Sequence, residues 1–211
     1  MTARLVVLAS GKGSNLQAIL DACRATHLDP PVEPIDANVV AVVSDNADAF
    51  ALERARALGI AAVTLTRIHE ETRHDYDTRL AQAVQLFSPD VVVLAGFMRL
   101  LSMAFLGALN APVVNLHPAL PGTYPGLHAI ERAFADARRG GVAQTGVMVH
   151  LVPDEGVDDG PVLASASVPI TATDTLDTLT QRVHATEHTL LVLALRNLIS
   201  SLSTSTPNAT F

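Results

Sequence analysis

The chain has 211 residues, 49% of them apolar and 17% charged, proportions that suit a single globular domain over positions 1–200 with a sizeable core. A formal charge of −7 with no basic cluster argues against nucleic acid, whose phosphates need a positive surface. The one cysteine, Cys23, excludes an internal disulfide, and no apolar run reaches the length of a bilayer span. A soluble cytoplasmic protein, free of nucleic acid and membrane, is therefore expected.

Apolar β-branched runs alternate with helical patterns from the start. Leu5–Ala9 reads as a strand buried on both faces and Asn15–Ala25 as an amphipathic helix, with Cys23 in register with Leu16, Ile19 and Leu20 as plain core. A connector containing Pro30, Pro31 and Pro34 leads to a strand at Val39–Val43. The next helix is expected to start at Asp45 or Asn46, either of which can cap it, and to stop at Gly59. Then come a strand at Ala62–Leu65, a helix over Thr72–Phe87, a strand at Val91–Ala95, a brief helix capped by Ser102 and ending near Asn110, and a strand at Val113–Asn115. Repeated strand–helix–strand units predict a doubly wound, mostly parallel Rossmann-like α/β sheet with helices on both faces.

After His117 the rhythm changes. A loop rich in proline and glycine precedes a helix near His128–Arg139, and two strand-like runs, Gly146–Val152 and Pro161–Pro169, predict a C-terminal antiparallel addition. A long final helix starts near Thr173 or Thr175, with Leu176, Leu179, Val183, Leu190, Ala194 and Leu198 on one face. The polar stretch from Ser200 lacks periodicity, so 201–211 is expected to be a frayed, flexible tail.

Three segments carry chemistry. Ser10-Gly11-Lys12-Gly13-Ser14-Asn15 lies between a strand and a helix, where free N–H groups and the helix dipole favour an anion. A dinucleotide fingerprint would need a third glycine where Leu16 stands, and a P-loop needs Gly-Lys-Ser/Thr after a longer loop. The loop therefore reads as a cradle for a small phosphorylated ligand, with no nucleotide cofactor, or else as a tight β–α turn. In Val113-Val-Asn-Leu-His-Pro118, alternation puts Asn115 and His117 on one face at the carboxyl end of a strand, where ligands sit in open α/β sheets. Asp158, in the acidic loop Asp154–Pro161, is either a solvated turn residue or the partner that holds His117 as an imidazolium. His184-Ala-Thr-Glu187-His188 fits an inverted zinc-peptidase pattern, but no Asp, Glu, His or Cys follows it to supply a third ligand, so no metal is expected.

Taken in order, these segments resemble the folate-dependent phosphoribosylglycinamide formyltransferases over about Leu5 to Leu198. The likeness rests on Leu-Ala-Ser-Gly-Lys-Gly-Ser-Asn at 8–15, Ser-Asp-Asn-Ala-Asp-Ala-Phe-Ala-Leu-Glu-Arg-Ala at 44–55, and Pro-Asp-Val-Val-Val-Leu-Ala-Gly-Phe-Met-Arg-Leu-Leu at 89–101. It continues through Asn-Leu-His-Pro at 115–118, Tyr-Pro-Gly-Leu-His at 124–128 and Asp-Glu-Gly-Val-Asp-Asp-Gly-Pro at 154–161. The resemblance implies that Asn115, His117 and Asp158 are catalytic. It implies that Gly13, Ser14 and Asn15 hold the phosphate of glycinamide ribonucleotide and that Glu187 binds elsewhere on that substrate. Arg99, Leu100, Leu101, Val157 and Asp158 would line the pocket for the co-substrate, 10-formyltetrahydrofolate. The implied reaction is formyl transfer to the ribonucleotide amine in purine synthesis, and a homodimer is the one assembly left open.

Three departures stand out. The family commonly continues His-Pro-Ser-Leu-Leu-Pro, whereas here His117 is followed by Pro-Ala-Leu-Pro-Gly-Thr-Tyr-Pro-Gly126, so Thr123 would replace a longer contact to substrate. Met148 stands where the family usually has Ser or Thr, which would remove a polar contact. The acidic loop is one residue longer than in some members, which makes Asp158 a better match than Asp159. Competing readings are a methionyl-tRNA formyltransferase, which normally adds a basic domain for tRNA, a formyltetrahydrofolate hydrolase, which usually adds a regulatory domain, and a non-catalytic sugar-phosphate binding module.

Overall fold

A computed structural model describes residues 2–24 and 34–204. Seven strands form one sheet in the order β3-β2-β1-β4-β5-β6-β7. Strands β1 (Ala3–Leu8), β2 (Ala37–Ser44), β3 (Ala61–Thr64), β4 (Val91–Leu94) and β5 (Val113–His117) are parallel. Strand β6 (Gln144–Leu151) adds antiparallel to β5, and β7 (Val162–Pro169) antiparallel to β6. Strand order runs outward from β1 to β3 and then returns to β4 on the other side of β1. The crevice between the carboxyl ends of β1 and β4 is thus the switch point at which such sheets bind ligands.

Strand β4 and the Leu5–Leu8 stretch of β1 are apolar at every position because both faces are covered. Leu5, Val7, Val91 and Val93 face a core closed by α1 (Ser14–Cys23), α2 (Phe50–Ala57), α5 (Ala129–Arg138) and α6 (Leu176–Thr204). Val6, Leu8, Val92 and Leu94 face a second core under α3 (Arg73–Gln85) and α4 (Met103–Leu106). The expected stripe on α6 is the face that meets the first core, with Leu179, Val183, Leu190 and Ala194 buried. Cys23 packs at the margin of that core, and burial raises its thiol pKa to about 11, as befits an inert side chain. Thr72 caps α3 by accepting the Asp75 N–H at 3.1 Å. Thr175 and Thr178 cap the start of α6 reciprocally, each side chain accepting the other's N–H.

Three boundaries differ from the sequence reading. Helix α2 starts at Phe50, because the side chain of Asp45 is committed to Ser10 and Arg99 and that of Asn46 to the Asp48 N–H. Helix α4 is a single turn ending at Leu106. The Ser102 hydroxyl does not cap it but donates to the buried Asp77 carboxylate at 2.6 Å, where the Ser102 N–H also donates at 2.7 Å. Helix α6 continues through Thr204, so 201–204 is helical and not tail, while 205–211, like Ala25, Pro30 and Pro31, lies outside the described residues.

Gly146 shows how tightly β6 is held. A Cβ there would collide with the Ala166 carbonyl and the Leu120 side chain. Gly146→Ala is expected to destabilise the fold by about 1–3 kcal/mol, as overpacking does. Equilibrium urea unfolding checks this as a fall in midpoint at unchanged slope.

Candidate active site

The sheet brings Asn115, His117 and Asp158 together. Both β5 residues lie on the face turned towards α3 and α4, and the loop after β6 delivers Asp158 to them in a left-handed conformation at φ 54°. Asn115 Nδ2 donates to Asp158 Oδ1 at 3.0 Å, and His117 Nδ1 lies 3.1 Å from Asp158 Oδ2. The Gly126 N–H donates to the same Oδ2 at 2.7 Å. His117 Nε2 donates to the Tyr124 carbonyl at 3.1 Å. Asp158 is therefore the partner of His117 and not a solvated turn residue.

Sequence reasoning did not give His150 a role. It pairs directly across from Asn115 in the β5–β6 ladder, and its Nε2 lies 3.2 Å from Asn115 Nδ2 and 3.5 Å from Asp158 Oδ1. The signal was available, since antiparallel pairing of β6 on β5 places the alternate residues Met148 and His150 beside His117 and Asn115. Met148 is buried across from His117, so that neighbour offers an apolar contact only. The Thr123 hydroxyl turns back to the Leu120 carbonyl at 2.7 Å and so supports its own loop instead of reaching for a ligand.

Electrostatics correct one expectation. Burial is the largest influence on His117 and lowers its pKa, against the Asp158 charge and the Tyr124 and Thr123 carbonyls, which raise it; His150 lowers it further. The net value lies below that of an ordinary histidine, so Asp158 does not hold the free site as a stable imidazolium. Both ring nitrogens face acceptors, so the ring donates to both only as the imidazolium, a form that burial makes harder to reach. Burial alone would raise Asp158, but the His150 hydrogen bond, the Gly126 N–H and the nearby histidines together bring it below the usual carboxylate range. Asp158 is thus an anion in the folded protein.

On the neighbouring crevice, Gly13 takes a left-handed φ of 70° at the start of α1, where a Cβ would sit 2.9 Å from Ala51. Ser14 and Asn15 form the first turn, ahead of the first intrahelical bond from the Gln17 N–H to the Gly13 carbonyl at 2.9 Å. Their N–H groups belong to the unpaired set at a helix start, which suits an anion. Asn15 Nδ2 donates to Glu187 Oε2 at 3.1 Å, across 172 positions of sequence. Glu187 is 5% exposed, and burial raises its pKa despite Asn15 and His184, which lower it. Among the described residues no cluster of His, Cys, Asp and Glu has the geometry to hold a metal ion, and no helix is long and apolar enough to cross a membrane.

A cavity of about 480 Å³ joins the Asn115–His117–Asp158 group to Arg99, Leu100, Leu101 and Val157. Leu100 is exposed at the wall while Leu101 is buried behind it. The Arg99 guanidinium donates to Asp45 Oδ2 at 2.7 Å and lies 4.8 Å from the Tyr76 ring centre, so it builds the wall as well as bordering the space. A larger cavity, about 670 Å³, runs between α1 and α6 from Ser14 to Arg196 and does not include Asn115, His117 or Asp158.

A doubly wound α/β sheet with an amide, an imidazole and a carboxylate converging beside a cavity at its ligand edge has the form of an enzyme's ligand site. Residues 3–195 match the family Formyl transferase, and the chain belongs to that family. It is 45% identical over 191 residues to a phosphoribosylglycinamide formyltransferase of Escherichia coli K12, covering 90% of this chain and 84% of that protein. Against the protein of the same name from Schizosaccharomyces pombe it is 41% identical over 210 residues, covering 95% and 99%. Among solved structures, glycinamide ribonucleotide transformylase 1 from Symbiobacterium toebii superposes with a TM-score of 0.84 at 38% identity, covering 95% of this chain and 89% of that one.

The raised pKa of Glu187 has a stability consequence. Its protonated form is favoured on folding, so its contribution is full below the unfolded value near 4.5 and is lost as pH rises through the folded value. Glu187→Gln keeps an acceptor for Asn15 without the charge. The variant is expected to melt a few degrees above the parent at pH 8, where ~1 kcal/mol is worth about 2–4 °C in a chain of this size. The gap should close towards pH 4, and calorimetry at the two pH values tests it.

Proposed function

We propose that this chain transfers the formyl group of 10-formyltetrahydrofolate to the amine of glycinamide ribonucleotide, a step of purine synthesis. The observation that carries the reading is the convergence of Asn115, His117 and Asp158 at one end of the 480 Å³ cavity, in a chain 45% identical to a formyltransferase of that name. The glycine loop would take the phosphate on the first-turn N–H groups of Gly13, Ser14 and Asn15, with Glu187 meeting the ribose or glycinamide portion. Arg99, Leu100, Leu101 and Val157 would border the folate.

As the amine attacks the formyl carbon, the carbonyl π pair moves to oxygen. Asn115 and His117 then supply N–H donors to that oxyanion. Asp158 orients His117 through Nδ1 and offsets the positive charge growing on the amine nitrogen, whose proton leaves to water. Collapse of the tetrahedral adduct breaks the bond from carbon to folate N10, and N10 takes up a proton to give tetrahydrofolate.

Purified protein with both substrates should release tetrahydrofolate only when the ribonucleotide is present. His117→Ala and Asp158→Asn should each lower kcat by about 10²–10³, the usual effect of losing one oxyanion donor or its support. Absorbance assay of the deformylated folate reads this directly. Folate release without ribonucleotide would identify a hydrolase, and tight binding of both ligands without turnover would identify a binding module.

A further inference from the structure

In the resting site neither nitrogen of His117 is available to substrate. Nδ1 faces Asp158 at 3.1 Å and Nε2 donates to the Tyr124 carbonyl at 3.1 Å. Asp158 cannot be released without dismantling the cluster, since Asn115 and Gly126 bind the same carboxylate. The donor that meets the formyl oxygen must therefore be Nε2–H, and it must first leave the Tyr124 carbonyl.

That carbonyl has a second partner. Arg132, in the first turns of α5, donates through one terminal nitrogen to the Tyr124 carbonyl at 2.6 Å and to the Pro125 carbonyl at 2.6 Å, with Nε 3.4 Å from the His128 carbonyl. Tyr124 is also tied to α5 through its hydroxyl, which donates to Asp136 Oδ2 at 2.9 Å. The loop is thus held at both ends, in a left-handed backbone at Tyr124 (φ 48°) that only surrounding structure can maintain. A carbonyl oxygen has two lone pairs, and here His117 and Arg132 take one each.

We propose that Arg132 is a positioning residue for His117: it keeps the Tyr124 carbonyl partnered when the imidazole exchanges that oxygen for the formyl oxygen. An acceptor left without a donor costs far more than one that keeps its partner. With Arg132 in place the exchange leaves nothing stranded, and the shared carbonyl also grips the imidazole less tightly. The inference rests on the formyl-transfer reading for its catalytic half. The other groups facing His117 are the charged Asp158 from the acidic loop, His150 from β6 and the Thr123 carbonyl, none of which Arg132 contacts.

Arg132→Met retains the bulk of the stem without donors, and Arg132→Lys retains one donor. In the full chain, Arg132→Met should lose about tenfold in kcat, equivalent to about 1.4 kcal/mol, with both KM values within about twofold of the parent. Arg132→Lys should recover part of the loss. NMR titration of the His117 ring in substrate-free protein, assigned with His117→Gln, should show a raised pKa in Arg132→Met, because the carbonyl is then unshared and the neighbouring positive charge is gone. An arginine that merely pins the loop predicts the opposite, since the carbonyl would drift off and the pKa would fall. Unchanged kcat, a loss confined to KM, or a fallen or unmoved His117 pKa each overturns the proposal. An inactive parent would overturn the formyl-transfer reading, while the titration, which needs no substrate, would still show whether Arg132 acts on the His117 ring or only pins the loop.

Discussion

One carboxylate holds the functional end of the molecule together. Asp158 receives Asn115 from β5, the Gly126 N–H from the loop after it and the facing nitrogens of His117 and His150 from two neighbouring strands. Burial opposes its charge, and only the sum of these partners keeps it ionised. The dependence runs both ways. Without the anion, the facing nitrogen of His117 and the Gly126 N–H would lose their shared acceptor, and the left-handed turn at Asp158 would have nothing to anchor it.

The glycine loop and the cavity wall are mechanically continuous across the switch point. The Ser10 N–H donates to the Gly96 carbonyl at 3.0 Å, and the Ser10 hydroxyl donates to Asp45 Oδ1 at 2.6 Å while accepting the Met98 N–H at 3.0 Å. Asp45 in turn accepts from Arg99, which stacks on Tyr76. The glycine loop after β1 and the cavity wall after β4 are therefore one hydrogen-bonded unit. The acidic loop is fastened to the far side of the same wall, where Glu155 accepts the Met103 N–H at 3.0 Å and lies 3.4 Å from Arg73. Loops of this kind are ordinarily the most mobile part of a fold, and here polar bonds between them supply the rigidity that a site requires.

What could be read from the sequence follows from how local each signal is. Alternation in Val113–His117 placed Asn115 and His117 on one face because side-chain direction in a strand is a property of neighbouring residues alone. The buried strands and the stripe on α6 were legible for the same reason. The helix start near Asp45 was misplaced, and Ser102, although it stands at the start of α4, does not cap it with its side chain, because a distant partner claims each of these side chains, Ser10 and Arg99 in one case and Asp77 in the other. His150 acquires a role only through the β5–β6 register, and Arg132 only because α5 passes beside the carbonyls of residues 124 and 125. Tertiary pairing creates these functions, so no local pattern announces them. The protonation of His117 was misjudged through a similar gap. The carboxylate was visible in the sequence, but the depth of burial that outweighs it was not.

The groups that make the site useful are also the ones that a stability-driven sequence would discard. Glu187 is buried with its pKa raised, Gly13 is confined to a conformation and a space that no side chain fits, and Tyr124, His128 and Asp158 all hold positive φ without being glycine. Gly13 and the three positive-φ residues lie on loops that follow strands, and Glu187 meets the first of these regions from α6 through Asn15, while the strand interiors are mainly aliphatic packing. Strain and unfavourable charge are tolerated where the surrounding bonds over-determine the geometry. The apolar sheet provides that support. Because β1, β4 and β5 are fixed on both faces, their carboxyl ends can carry an arrangement that would not persist on a mobile loop, with the imidazole and amide held in place before any ligand arrives.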